Sequence, residues 1–80
     1  MILAFTLRRG ADTYGIRKLT LGSNAVVGEI WPQKSTRGWT GYNLLVGKFV
    51  NAETLRVCRD LLERDIAETL RSATIWGIDE

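Results

Sequence analysis

The sequence predicts an α+β domain, an antiparallel sheet of three to four strands packed on one long C-terminal α-helix. Two observations lead there. Residues 51–73 carry an apolar stripe at helical spacing, uninterrupted by Gly or Pro. Residues 1–50 break instead into short apolar runs of period two, separated by Gly, Pro and polar turns. The length of 80 residues sets the scale: residues 1–80 read as a single domain, with strands within 1–50, a helix over about 51–73 and a packed tail over 74–80.

In chain order, Ile2 to Leu7 is the first strand, with Leu3, Phe5 and Leu7 forming its apolar face. Arg8 to Asp12 reads as a polar turn punctuated by Gly10. Tyr14 to Leu21 is the second strand, and Gly22-Ser23-Asn24 suits a tight hairpin connection. Ala25 to Trp31 is the third, with Val27 and Trp31 on one side and Val26 and Ile30 on the other. Gly28 in its middle marks a bulge or a close backbone approach, and Pro32 ends pairing because it lacks an amide donor. Gln33 to Gly38 is a polar loop. Trp39 to Asn43 begins a fourth strand, which Leu44 to Phe49 continues or leaves at Gly47.

The helix is the element the sheet must cover. Leu55, Cys58, Leu62, Ile66, Leu70 and Ala73 share one stripe, and Arg56, Asp60, Glu63, Arg64, Glu68 and Arg71 lie opposite. Asn51 suits the N-cap, with Glu53 and Arg71 toward the dipole ends that favour their charges. Arg56, Asp60, Arg64 and Glu68 alternate in sign at i, i+4 spacing, as on a solvated, self-paired face. Arg59 at the stripe's edge lays its stem on the core. The sheet's matching contributors are Leu3, Phe5, Leu7, Ile16, Leu19 or Leu21, Val27, and Leu44 or Val46. The tail carries Ile75, Trp76 and Ile78, with Trp76 expected to pack back on the domain.

Composition narrows the chemistry. Apolar residues make up 45% and charged residues 25%, as in ordinary globular domains. The single Cys58 cannot form an internal disulfide, reads as a small buried hydrophobe and fits a cytosolic setting. The run Met1 to Phe5 is followed, not preceded, by Arg8 and Arg9, unlike a secretory signal, and no run approaches a membrane span. Histidine is absent, which removes the usual general base and the commonest metal ligand. One Cys without His makes no ordinary zinc site, and Ser23 and Ser35 have no evident activating base. The expectation is a protein without catalytic residues, cofactor or metal.

Surfaces are more informative. The net charge of +2 hides an asymmetry: residues 1–50 hold seven cations against two acids, and residues 51–80 hold four against seven. The Trp31–Tyr42 segment holds Trp31, Lys34, Arg37, Trp39 and Tyr42, a mixture that suits a protein interface and equally a nucleic-acid strand, by stacking and phosphate contacts. Arg8, Arg9, Arg17 and Lys18 form a second basic cluster at one end of the first hairpin. Gly38-Trp39-Thr40-Gly41 matches the GxxG string of KH domains, but opens a strand where those loops join helices, so hairpin glycines explain it.

Four segments carry a resemblance: Phe5-Thr6-Leu7-Arg8-Arg9, Tyr14-Gly15-Ile16-Arg17, Val27-Gly28-Glu29-Ile30-Trp31-Pro32 and Gly47-Lys48-Phe49. With these, the chain is similar to the small anti-CRISPR proteins of phages and mobile elements, including the group that inhibits type I-C systems. The resemblance rests on size, element order and texture over most of the chain, and carries no family residue across. It implies a non-enzymatic inhibitor in the bacterial host cytoplasm that binds a type I RNA-guided surveillance complex and blocks target-DNA binding. The modest basic charge departs from the acidic DNA mimics of that class and favours docking on an acidic or apolar protein patch. A small nucleic-acid-binding domain is the alternative. A homodimer, through an exposed sheet edge or the charged helix face, is a third reading.

Overall fold

The computed structural model describes residues 4–10, 15–22, 25–34 and 36–77, with side chains described as far as Ser72. Expectations for Ile2, Leu3, Asp12, Tyr14, Ser23, Asn24, Ile78 and the side chains of Ala73, Ile75 and Trp76 lie outside the described residues. The architecture is α+β: β1 (Phe5–Arg9), β2 (Arg17–Leu21), β3 (Ala25–Pro32), β4 (Trp39–Asn43) and β5 (Lys48–Ala52) precede α1 (Leu55–Gly77). The strands form one antiparallel meander in the order β1-β2-β3-β4-β5, and the helix packs on β3, β4 and β5.

The sheet has five strands rather than three or four, because the chain reverses within Leu44–Gly47. Gly47 takes φ 71, which suits a residue without Cβ. Its amide donates to the Asn43 carbonyl at 2.8 Å, and the Leu45 amide donates to Asn43 Oδ1 at 2.9 Å. Leu44 and Val46 therefore sit exposed in the turn, at 42% and 57%, and do not join the core. Arg8 and Arg9 likewise belong to β1, not to a turn, and pair with Lys18 and Arg17. The connection is closed by the Gly10 amide donating to the Ile16 carbonyl at 3.0 Å.

The helix starts later than the apolar stripe suggests. Asn51 lies in β5, where its Oδ1 accepts from Thr40 Oγ1 at 2.9 Å and from Gln33 Nε2 at 3.1 Å. The cap is Thr54, whose Oγ1 accepts from the Val57 amide at 3.2 Å. Glu53 precedes the first turn, and the helix runs past Arg71 to Gly77, so the segment 74–77 is helical rather than a separate tail. Its charges pair as Arg59–Glu63 at 2.6 Å and Arg71–Glu68 at 2.7 Å, not along the Arg56–Asp60–Arg64 series. Arg59 lies at the stripe's edge as expected, and its guanidinium also donates to the Phe5 carbonyl at 3.5 Å.

Leu19, Val27, Ile30, Cys58, Leu62 and Ile66 form the buried core, with Phe5, Leu7, Leu21, Trp39, Val50, Ala52, Leu55 and Leu70 packed against it. Val27 and Ile30 share the core, although simple alternation puts them on opposite faces. The reason is a bulge: Leu19 pairs with Gly28 but Thr20 pairs with Val26, leaving Val27 as the extra residue. Gly28 has a second role. A Cβ there would stand 2.9 Å from Leu62 Cδ2 and 3.2 Å from Ile66 Cδ1, so the glycine lets the helix lie close on β3. Gly41 does the same on β4, where a Cβ would meet Cys58 Sγ at 3.2 Å.

A polar bridge fixes the far end of the sheet to the helix. Asn43 is fully buried. Its Nδ2 donates to Asp65 Oδ2 at 2.8 Å and to Thr69 Oγ1 at 3.2 Å. Lys48 Nζ reaches the other oxygen of Asp65 at 3.2 Å. The Asn43 hydrogen bond, with Lys48, holds the Asp65 carboxyl below its ordinary range despite partial burial. Burial pushes the Cys58 thiol up.

Candidate docking face

Strand register assigns the candidate side chains to faces. Leu19 and Gly28 turn toward the helix, so their neighbours Lys18 and Glu29 turn away from it. Across the sheet one row of this second face reads Arg8, Lys18, Glu29, Tyr42, Phe49. The next row adds Trp31, Thr40 and Asn51. No described element crosses this face.

Three aromatic rings form its centre. Tyr42 and Phe49 lie 4.6 Å apart between centroids with their planes tilted by 42°. Trp31 meets Phe49 edge-on at 6.3 Å. The contacts are neighbourly rather than enclosing, for Phe49 stays 58% exposed. The Tyr42 hydroxyl points toward Gly47, where a Cβ would sit 3.3 Å from it. Beside Trp31 opens a cleft of about 520 Å³, lined by Ile16, Glu29, Trp31, Pro32, Gln33 and Lys34. Ile16, expected in the core, thus lines this cleft instead.

The loop after β3 is tied down by Gln33. Its Nε2 is shared among the Trp39 carbonyl at 3.5 Å, Thr40 Oγ1 at 3.2 Å and Asn51 Oδ1 at 3.1 Å. Its Oε1 accepts from Thr36 Oγ1. This anchor presents Lys34 and Arg37 as exposed cations, Lys34 at the first cleft and Arg37 at a second of about 640 Å³.

The structure regroups the residues read from sequence as two clusters. Trp31 and Tyr42 share the open face, together with Arg8 and Lys18 from the basic cluster. Trp39 does not join them. It lies in the helix-side row with Pro32 and Ala52, packed against the core. Arg17 is also on that side, with its guanidinium 4.9 Å from the Trp39 ring centroid, and so is its ladder partner Arg9. In the Gly38–Gly41 string, Gly41 lets β4 lie close on the helix, while a Cβ at Gly38 would stand 2.9 Å from Gln33 Oε1 and 3.1 Å from the Ala52 carbonyl oxygen.

Sequence reasoning missed Phe49 and Glu29 as members of the face. Both stand in the same cross-strand row as Tyr42. The signal was available only in the turn: placing Leu44–Gly47 as a four-residue reversal puts Phe49 opposite Tyr42.

Among the described residues, no group of three or more His, Cys, Asp or Glu is placed to hold a metal ion. Nor is any helix among them long and apolar enough to cross a membrane. No family model, curated protein or solved structure matches the chain.

Proposed function

We propose that this is a non-enzymatic protein-binding inhibitor that docks through the open face of its sheet. The observation supporting this is the Trp31–Tyr42–Phe49 cluster, half-buried to exposed, on a face no described element crosses, with Lys18 and Arg8 in the same cross-strand row beyond Glu29. Exposed aromatics and arginine are the side chains that anchor protein interfaces, since they bury large rigid area at low entropic cost. The five-stranded platform holds them in fixed relation before any partner arrives, which reduces the ordering cost of association.

In its finer form the partner is a type I RNA-guided surveillance complex, bound so that target DNA is kept out, as the resemblance to anti-CRISPR proteins implies. The cationic flank suits an acidic or apolar patch on a protein subunit. Co-purification with each subunit of such a complex tests this. The reading expects one subunit to retain the protein and the loaded complex to lose target-DNA binding. Failure to bind any subunit, with unimpaired interference in cells, ends it.

A second reading is supported by the same row: single-stranded nucleic acid would stack on Tyr42, Phe49 and Trp31 with phosphates on Arg8 and Lys18. Its signature is affinity that falls steeply with salt. A flat titration with single-stranded DNA and RNA at low salt rejects it.

A further inference from the structure

The two edges of the sheet are built differently. On the β1 edge Arg8 and Arg9 are exposed and charged, and the Phe5 carbonyl accepts from Arg59. Charge on an edge strand discourages pairing with another chain. The β5 edge is guarded less: its one cation, Lys48, is paired with Asp65, although its side chain stays 64% exposed.

Exposed apolar side chains gather on this same side. The large ones among the described residues are Val26, Leu44, Leu45, Val46, Phe49, Val57 and Leu61. All but Val26 and Val57 border β5. Leu44, Leu45 and Val46 form the turn leading into it, and Phe49 is part of it. Leu61 lies on the helix flank above it: Asp65, one turn beyond Leu61, pairs with Lys48 of β5, whereas Arg59 on the opposite flank reaches β1. A strand edge with unpaired amides and carbonyls, bordered by aliphatic groups on both sides, is built to receive another strand.

We propose that the β5 edge is a homodimer interface, in which two copies pair β5 with β5 antiparallel about a two-fold axis at Val50. The choice of a second copy rests on self-complementarity. With Val50 at the axis, Phe49 of one copy faces Asn51 of the other, and Lys48 faces Ala52. No like charges meet in the ladder. The two Lys48 residues stand at opposite ends of it, about 13 Å apart at the ordinary strand rise, beyond the screening length of about 8 Å at physiological salt. Leu61 of each helix then faces the seam. The two sheets become one, and a two-fold axis normal to it leaves both open faces on the same side. The aromatic clusters of the two copies thus flank the seam as a doubled platform. This dimer does not depend on the partner proposed above, because it forms from the protein alone.

Sedimentation equilibrium of the purified chain over a wide concentration range, with hydrogen exchange at low and high concentration, tests it. The expected result is a reversible dimer, with amide protection at Phe49–Asn51 rising with concentration. Phe49→Lys and Leu61→Glu, both at exposed positions, are expected to weaken the dimer at least about tenfold each while thermal unfolding stays cooperative. A monomer at every concentration overturns the proposal. So does a dimer indifferent to both substitutions whose β5 amides exchange as in the monomer. Should either variant fail to fold, the concentration dependence of β5 exchange in the wild type decides the matter alone.

Discussion

Arg17 and Trp39 meet on the helix side of the sheet, the guanidinium carbon 4.9 Å from the indole centroid. They come from strands that do not pair with each other, β2 and β4, and from two surface clusters that sequence alone keeps separate. Their contact closes the end of the core near the helix N-terminus, where Trp39, Ala52 and Leu55 pack against the buried residues. It also removes both from the open face and leaves Trp31 as the tryptophan available there among the described side chains.

Arg17→Ala should therefore act on stability rather than on docking. A cation over an indole at a partly exposed site contributes about 0.5–1 kcal/mol, and a loss of that order is expected in urea unfolding. Arg17→Lys should retain part of it. A variant as stable as the wild type would show the stacking to be energetically idle.

Gly28→Ala should cost more. Its Cβ would lie 2.9 Å from Leu62 Cδ2 and 3.1 Å from the Tyr42 carbonyl oxygen, with Ile66 on a third side. Overpacking of this kind costs roughly 1–3 kcal/mol. Chemical denaturation measures it, and a neutral substitution would mean the helix is free to lift from β3.

Thr54→Ala and Asn51→Ala separate two roles that the sequence merges. The first removes the cap of α1 and should cost about 1 kcal/mol with some loss of helical circular dichroism. The second should leave the helix intact and loosen the β3–β4 loop, because Gln33 and Thr40 lose their shared acceptor. Amide exchange over residues 33–40 is the readout. Equal helix loss in both variants would contradict the assignment.

The Asp65 carboxyl titrates below its ordinary value because Asn43 and Lys48 favour its charged form. Its folded pKa is thus depressed, so the stability it contributes is fully present above the unfolded carboxyl value of about 3.9. It is lost as pH falls through the folded value. Urea midpoints measured downward from pH ~5 should fall more steeply for the wild type than for Asp65→Asn. Parallel slopes would mean that Asn43 and Lys48 do not favour the charged form of Asp65 in the folded protein.

The class of fold was legible because two periodicities differ so plainly: Leu55, Cys58, Leu62, Ile66 and Leu70 recur at helical spacing, while Phe5 and Leu7 alternate. What escaped had local causes. Apolar Leu44, Leu45 and Val46 look like strand, but Gly47 at positive φ and the Asn43 side chain make them a turn. Asn51 has a capping side chain, yet bonds across the sheet. A bulge at Val27 cancels the alternation that separated it from Ile30. The candidate face was half legible for the same reason. Trp31 and Tyr42 are visible as aromatics, but which face each tryptophan takes depends on register, and Phe49 joins only once β5 exists.

The open face is tested most directly by titrating surveillance-complex subunits with paired variants. Tyr42→Ser with Phe49→Ser removes aromatic area from that face, and Arg17→Ala perturbs the helix side. Binding should weaken by at least about tenfold, or roughly 1.4 kcal/mol, for the first and stay near wild type for the second, with both proteins folded. Equal affinities across wild type and both variants would contradict docking through this face.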